Sequence, residues 1–152
     1  MKWGVENLSE IYKRSEVFFC NTDEAKRILG IIEEITIKEL LKKVSELGPK
    51  ITVITDGPKG AYVYDGKDFW FMPPYPDPKP PYERTGAGDA FSSTFASALA
   101  LGLSIPEALS WGPINSMSVV QYIGAQRGLL NREQLEKYLK EAHVDYKPKL
   151  LD

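Results

Sequence analysis

Thr85-Gly86-Ala87-Gly88-Asp89, followed by Ala90-Phe91 and a run of small and apolar residues, is the stretch of this chain with the clearest chemistry. The run predicts a helix, and glycines on either side of one alanine free the backbone at its start to turn several N–H groups outward. Unpaired amides and the positive end of a helix dipole favour an anion, and phosphate is the expected guest. Asp89 adds a carboxylate at the same helix mouth. It is suited to take a proton from a hydroxyl nucleophile while the Gly86, Ala87 and Gly88 amides hold developing negative charge. The plainer reading is a glycine-rich turn with Asp89 as a helix-start charge, and the rest of the chain decides between the two.

Other residues with chemical potential stand at the ends of apolar runs. Asn21-Thr22-Asp23-Glu24 follows Val17-Phe18-Phe19-Cys20 and has the spacing of a capping box, in which Asn21 accepts from a first-turn amide and Glu24 folds back. Thr55-Asp56-Gly57-Pro58-Lys59-Gly60 follows the β-branched run Ile51–Thr55 and reads as a tight turn. It has neither the lysine-hydroxyl ending of a P-loop nor a dinucleotide fingerprint. Asn115 sits inside a helical stretch, where an isolated asparagine is usually solvated or locally bonded. Cys20 is the only cysteine, which excludes an internal disulfide, and its apolar neighbours predict a buried small hydrophobe. His143 is the only histidine, which argues against a His-based zinc site or a Ser-His-Asp triad.

The elements that must hold these residues follow from periodicity. Leu8–Arg14 is amphipathic, Val17–Cys20 and Ile51–Thr55 read as buried strands, and Thr22–Leu29 and Ile37–Leu47 read as helices closed by Gly30 and Gly48-Pro49. Ala61–Tyr64 and Phe69–Met72 form a predicted hairpin around Asp65-Gly66. Helices are predicted over Asp89–Leu101, from Pro106 to about Ile123, and beyond Asn131, which caps the last. That order predicts an α/β sheet with helices on both faces. Pro73–Pro81 holds six prolines in nine residues. Its Pro-x-x-Pro spacings would suit an SH3-like groove, but a stiff connection is preferred because the segment leads to Thr85 and limits its entropy.

Composition narrows the function classes. A chain of 152 residues with 43% hydrophobic content can bury about two-thirds of its unfolded surface as a single domain. Nineteen basic and 21 acidic residues, spread along the sequence for a net charge of −2, provide no basic stripe for nucleic acid and no polybasic membrane segment. No secretory signal or membrane span is visible, so the expectation is a cytoplasmic protein.

On Gly86-Ala87-Gly88-Asp89, Asn21-x-x-Glu24, the Thr55-x-Gly57-x-x-Gly60 loop and the Gly124-Ala125 turn, the chain resembles the ribokinase-like, or PfkB-type, carbohydrate kinases. The resemblance implies a ribokinase-like three-layer fold and ATP-dependent phosphorylation of a sugar or sugar-like alcohol. It implies Gly86, Ala87 and Gly88 as the anion hole and Asp89 as the base. It puts Asn21, Thr55, Gly57, Gly60, Thr85 and Asn115 on the nucleotide, and Glu24 on the water shell of Mg²⁺ near the phosphates. Glu83-Arg84-Thr85 stands where the family has Asp-Thr-Thr. In members activated by a monovalent cation the first aspartate helps bind that ion, so Glu83 leaves potassium dependence open.

Ribokinase-like enzymes are about twice this length, and the resemblance covers their nucleotide and catalytic half. Residues 1–152 are therefore expected to be a single domain truncated at the N-terminus, without the substrate-binding glycines or the β-sheet lid. An oriented base contributes about 10²–10⁴-fold, whereas positioning of the acceptor hydroxyl accounts for roughly 7–11 kcal/mol. The chain alone is thus expected to bind nucleotide but to phosphorylate a sugar or nucleoside poorly unless another chain completes it. The alternative is a non-catalytic nucleotide-binding or assembly module, such as one half of a split kinase. An open sheet edge left by missing strands predicts a homo-oligomer through that edge.

Overall fold

The computed structural model describes residues 5–151, which form an α/β structure with a mixed five-stranded sheet. The elements are α1 (Val5–Arg14), β1 (Val17–Asn21), α2 (Thr22–Leu29), α3 (Ile37–Ser45), β2 (Ile51–Thr55), β3 (Ala61–Tyr64), β4 (Phe69–Met72), α4 (Ala87–Ala100), α5 (Ile105–Val119), α6 (Arg132–Glu141) and β5 (Lys149–Leu150). A short 3₁₀ turn, Gly57–Lys59, links β2 to β3. The chain groups into two compact units: one holds the chain up to Gly57, Ala61–Phe71 and Leu150 onward, and the other holds Pro58–Gly60 and Met72–Lys149.

In the first unit the strands lie in the order β1-β2-β3-β4-β5, with β1 parallel and β3 antiparallel to β2. Parallel pairing needs a crossover, and α2 and α3 supply it. Their apolar stripe of Ala25, Leu40, Leu41 and Val44 packs on Cys20 and Ile54, and Phe18, Tyr62, Tyr64 and Phe69 border the same core. Reciprocal capping boxes start both helices, Asn21 with Glu24 and Thr36 with Glu39, so the capping expectation for Asn21 and Glu24 holds. Tyr12 anchors α1 by setting its ring edge-on to Phe18 at 5.1 Å.

Thr52 on β2 is fully buried, and its hydroxyl has no hydrogen-bond partner among the described residues. A buried hydroxyl without a partner loses its hydration and gains nothing in return. Thr52→Val is therefore expected to stabilise the protein by about 1 kcal/mol, read from chemical unfolding. A loss of stability would mean that the hydroxyl is satisfied.

The β3–β4 hairpin turns through residues 65–68. The Asp-Gly signal marks its place, but Asp65 organises a wider loop than a two-residue turn. One Asp65 carboxylate oxygen accepts from the amides of Lys67 (2.9 Å) and Asp68 (2.7 Å), and the other accepts from the Trp70 indole (3.2 Å). Burial alone would raise the Asp65 carboxyl, but the three donors outweigh it and hold it below its ordinary 3.8. A carboxyl depressed in the folded state contributes stability above its unfolded pKa, and loses it as pH falls through the lower folded value. Asp65→Asn keeps one acceptor oxygen and turns the other into a donor facing the indole. The expected loss at neutral pH is about 1–2 kcal/mol, with a flatter stability profile below about pH 4, followed by Trp70 fluorescence.

The second unit is built on the α4–α5 helical hairpin. Ala90, Phe91, Thr94, Phe95 and Ala98 form the buried stripe of α4, and Gly112 on α5 lies so close to Phe91 that a Cβ there would stand 2.6 Å from the ring. Pro113 follows inside the helix, buried, at the cost of one amide donor. The sequence predicts this helix to about Ile123, but it stops at Val119. The Val120 carbonyl is taken instead by the amide of Tyr82 at 2.8 Å, a tertiary contact no periodicity carries.

The proline-rich stretch is tethered along its length. The Tyr75 hydroxyl donates to the Tyr138 carbonyl (3.1 Å), and its ring meets Tyr146 edge-on at 4.8 Å. Tyr146 in turn donates to the Ser110 carbonyl (2.6 Å), and burial pushes its phenol pKa up. Gln121 donates to the Lys79 carbonyl at 3.3 Å. These bonds support the stiff-connection reading of Pro73–Pro81.

Candidate active site

The turn before α4 takes its shape from Gly86. Its backbone angles, φ 83° and ψ −4°, are those of the third position of a type II turn, and the Ala87 amide closes that turn on the Arg84 carbonyl at 3.3 Å. A Cβ at Gly86 would lie 2.6 Å from both Cα and O of Ala125, so glycine is required for space as well as for φ. The first amide returned into the helix is that of Ala90, to the Gly86 carbonyl at 2.8 Å. The amides of Gly88 and Asp89 fall between these two bonds and have no acceptor among the described residues.

α2, α3 and α6 carry reciprocal capping boxes, and Glu107 reaches back to Ser104 at the start of α5, whereas no side chain caps α4. Gly88 and Asp89 are exposed, and a Cβ on Gly88 would meet nothing within 4 Å. The Asp89 carboxylate has no hydrogen bond or ion pair among the described residues. Two hydroxyls hold the adjoining carbonyls, Ser116 on that of Ala87 (2.7 Å) and Ser92 on that of Gly88 (2.8 Å). Outward amides, a fixed turn and an uncommitted carboxylate form an arrangement that can bind an anion and accept a proton beside it. Thr85 and Arg84 are exposed in the same turn.

Asn115 lies in the same unit, away from solvent at 5% exposure. Its amide donates to the Thr94 hydroxyl (2.8 Å), and its carbonyl oxygen accepts from the Leu130 amide (2.9 Å). Both ends are thus committed to bracing α4, α5 and the chain before α6. Asn115 also borders a cavity of about 260 Å³ with Ser97, Leu101, Trp111, Leu130 and Leu135. Sequence reasoning missed Ser116, and it missed the contacts that Glu83 and Ala125 make around the Gly86 turn. Glu83 had a signal in its departure from the family motif, and Ala125 in the Gly124-Ala125 match to the family turn.

In the first unit, the parallel register sets Asn21 opposite Thr55 at the carboxyl ends of β1 and β2. This is where open α/β sheets bind ligands. The Thr22 hydroxyl reaches the Thr55 carbonyl at 3.5 Å. Beyond Thr55, Gly57 and Gly60 both adopt positive φ, 51° and 106°. Glu24 is exposed, and one carboxylate oxygen accepts from the Asn21 amide at 2.9 Å. Its second oxygen suits a hard cation that keeps most of its waters. Among the described residues no three His, Cys, Asp or Glu side chains gather into a metal cluster. Burial, and then the charge of Glu24, push the Cys20 thiol up to about 12, which makes it inert. No helix among the described residues is long and apolar enough to cross a membrane.

Comparison with known proteins gives the site its setting. The profile described as pfkB family carbohydrate kinase matches residues 2–132. An ATP-dependent 6-phosphofructokinase of Thermoanaerobacterium thermosaccharolyticum is 32% identical over 122 residues, 80% of this chain and 36% of the relative. A cytidine kinase of Thermococcus kodakarensis is 34% identical over 118 residues, 77% of this chain and 41% of the relative. Among solved structures, Arabidopsis thaliana ribokinase complexed with ribose and ATP superposes with a TM-score of 0.78 at 27% identity, covering 87% of this chain and 43% of that one. The chain spans about two-fifths of the length of such relatives. By the match over most of its length, and by the fold that accompanies it, this chain belongs to the pfkB family of carbohydrate kinases.

Proposed function

We propose that this chain carries the nucleotide-binding and phosphoryl-transfer part of an ATP-dependent kinase acting on a sugar or nucleoside hydroxyl. The observation that carries the reading is the uncapped start of α4, with unpaired Gly88 and Asp89 amides beside an uncommitted Asp89 carboxylate, in a chain of this family. Asp89 takes the proton of the acceptor hydroxyl, and the unpaired amides of Gly88 and Asp89 stabilise the transferred phosphoryl group, while the Ala87 amide, expected in the anion hole, is spent on the Arg84 carbonyl and closes the Gly86 turn instead. Thr55, Gly57, Gly60 and Thr85 attend the ribose and phosphates, while Asn21 and Glu24 form the rigid start of α2. Glu24, with one carboxylate oxygen on the Asn21 amide, would help hold Mg²⁺, which would supply charge neutralisation at the phosphates. Asn115 contributes as a brace behind the site. A kinase of this kind works in the cytoplasm, where ATP is available.

A second reading, a nucleotide-binding or assembly module without transfer of its own, is favoured by one observation, the span of only about two-fifths of the relatives' length. In the first reading the chain transfers phosphate to an acceptor, however slowly, and in the second it does not. Calorimetry with ATP–Mg²⁺, beside a transfer assay against a panel of sugars and nucleosides, separates them. ATP–Mg²⁺ binding with transfer to at least one acceptor supports the kinase, binding without transfer supports the module, and no binding overturns both. Among the described residues β1 stands at the end of the strand order, and an end strand is where a further strand can add. Self-association through that edge is expected, and a monodisperse monomer by light scattering at micromolar concentration would refute it.

A further inference from the structure

Glu83 stands outside the anion-binding turn and touches none of its amides, yet it is tied to the segment the turn packs against. Its carboxylate accepts a hydrogen bond from the Gly124 amide, across 41 residues of sequence. The next residue, Ala125, is the one whose Cα and carbonyl oxygen fill the space over Gly86. Gly124 itself has φ 92° and no neighbour within 4 Å of a built Cβ, so side-chain packing does not fix its place. Tyr82, beside Glu83, donates its amide to the Val120 carbonyl at 2.8 Å. The approach to the Gly86 turn and the chain leaving α5 are therefore joined by a backbone bond at Tyr82 and by the Glu83 carboxylate.

A bond from an ionised carboxylate to an amide is among the stronger ones available to a loop. The Gly86 turn needs such help, since its left-handed glycine has no side chain to hold it and α4 has no cap. We propose that Glu83 is a positioning residue. By holding the Gly124 amide it presses Ala125 against Gly86, and so fixes the direction in which the Gly88 and Asp89 amides point. This rests on the reading of that turn as the anion hole, but the clamp is also measurable without any nucleotide.

The test compares Glu83→Ala and Glu83→Gln with the parent chain in two measurements. Amide hydrogen exchange without nucleotide should quicken about tenfold at Gly124 and at residues 86–89 in Glu83→Ala, and stay near the parent in Glu83→Gln, which keeps an acceptor oxygen. Calorimetry should show ATP–Mg²⁺ affinity falling about tenfold in Glu83→Ala while ADP–Mg²⁺ changes less than about twofold, because only the terminal phosphate meets the turn. A merely structural role would weaken both nucleotides together. If Glu83→Ala does not fold, Glu83→Asp withdraws the oxygen by one methylene and carries the same expectations. Unchanged exchange at residues 86–89, equal loss of ATP and ADP, or a Gln variant as impaired as the Ala variant would each overturn the proposal. Quickened exchange in Glu83→Ala, beside a parent chain that binds neither ATP–Mg²⁺ nor ADP–Mg²⁺, would leave the clamp standing and sink the anion-hole reading.

Discussion

Asp89→Asn is expected to lower phosphoryl transfer by about 10²–10⁴-fold while leaving ATP–Mg²⁺ affinity within about twofold. The substitution keeps the size and shape of the side chain and removes its ability to take a proton. Asp89 is exposed and has no partner among the described residues, so no ion pair is broken and no buried group is orphaned. The structural cost is confined to a lost negative charge in the first turn of α4, about 0.3–1 kcal/mol. The loss in rate is therefore far larger than any loss in stability. The measurement is turnover on the best acceptor of the sugar and nucleoside panel, with affinity and thermal midpoint recorded beside it. Undiminished turnover would remove Asp89 from the chemistry.

Gly86 and Gly88 should respond in opposite ways, as read by stability, to the same added methyl group, although only Ala87 separates them. Gly86→Ala puts a Cβ 2.6 Å from the Ala125 backbone at a φ of 83°, where neighbouring atoms are main chain and cannot swing aside. Left-handed strain and the clash together are expected to cost about 2–4 kcal/mol of stability and to abolish measurable ATP–Mg²⁺ binding. Gly88→Ala meets nothing within 4 Å and lies in a helix, so the fold should gain about 0.5–1 kcal/mol. Its methyl nevertheless stands among the outward amides, and nucleotide affinity should fall. Unfolding curves paired with calorimetry distinguish the two. A Gly88→Ala chain that binds ATP–Mg²⁺ as well as the parent would show that no anion approaches that amide.

Much of this architecture was legible because local pattern and tertiary setting agree. The runs Val17–Cys20 and Ile51–Thr55 are β-branched or aromatic and short, and they became the parallel pair β1 and β2. Asn21 and Asn131 were readable as caps because a capping box is closed within four residues. What escaped depends on contacts distant in sequence. The end of α5 is set by the Tyr82 amide reaching the Val120 carbonyl. β5 is two exposed residues, Lys149–Leu150, with no apolar pattern, and is recognised through the bond from the Leu151 amide to the Phe69 carbonyl at 2.9 Å.

The candidate site divides along the same line. The turn at Gly86–Asp89 is a local backbone feature, so the glycines announce it. The resemblance places Asn115 on the nucleotide, the sequence reads it as usually solvated or locally bonded, and the packing of α4, α5 and Leu130 shows which partners engage both ends of its amide. Glu83 was weighed solely through its departure from a family motif. Its bond to Gly124 joins segments that no short window of sequence could bring together.

The tyrosine trio has a consequence for anyone handling the protein. Tyr146 lies beyond α6, yet through Tyr75 and Ser110 it fastens the stretch that leads into the Gly86 turn. A protease nick between His143 and Tyr146 would leave every candidate catalytic residue intact and still slacken the approach to Thr85. If the proposed site is right, preparations clipped there should bind ATP–Mg²⁺ more weakly before they lose helical content.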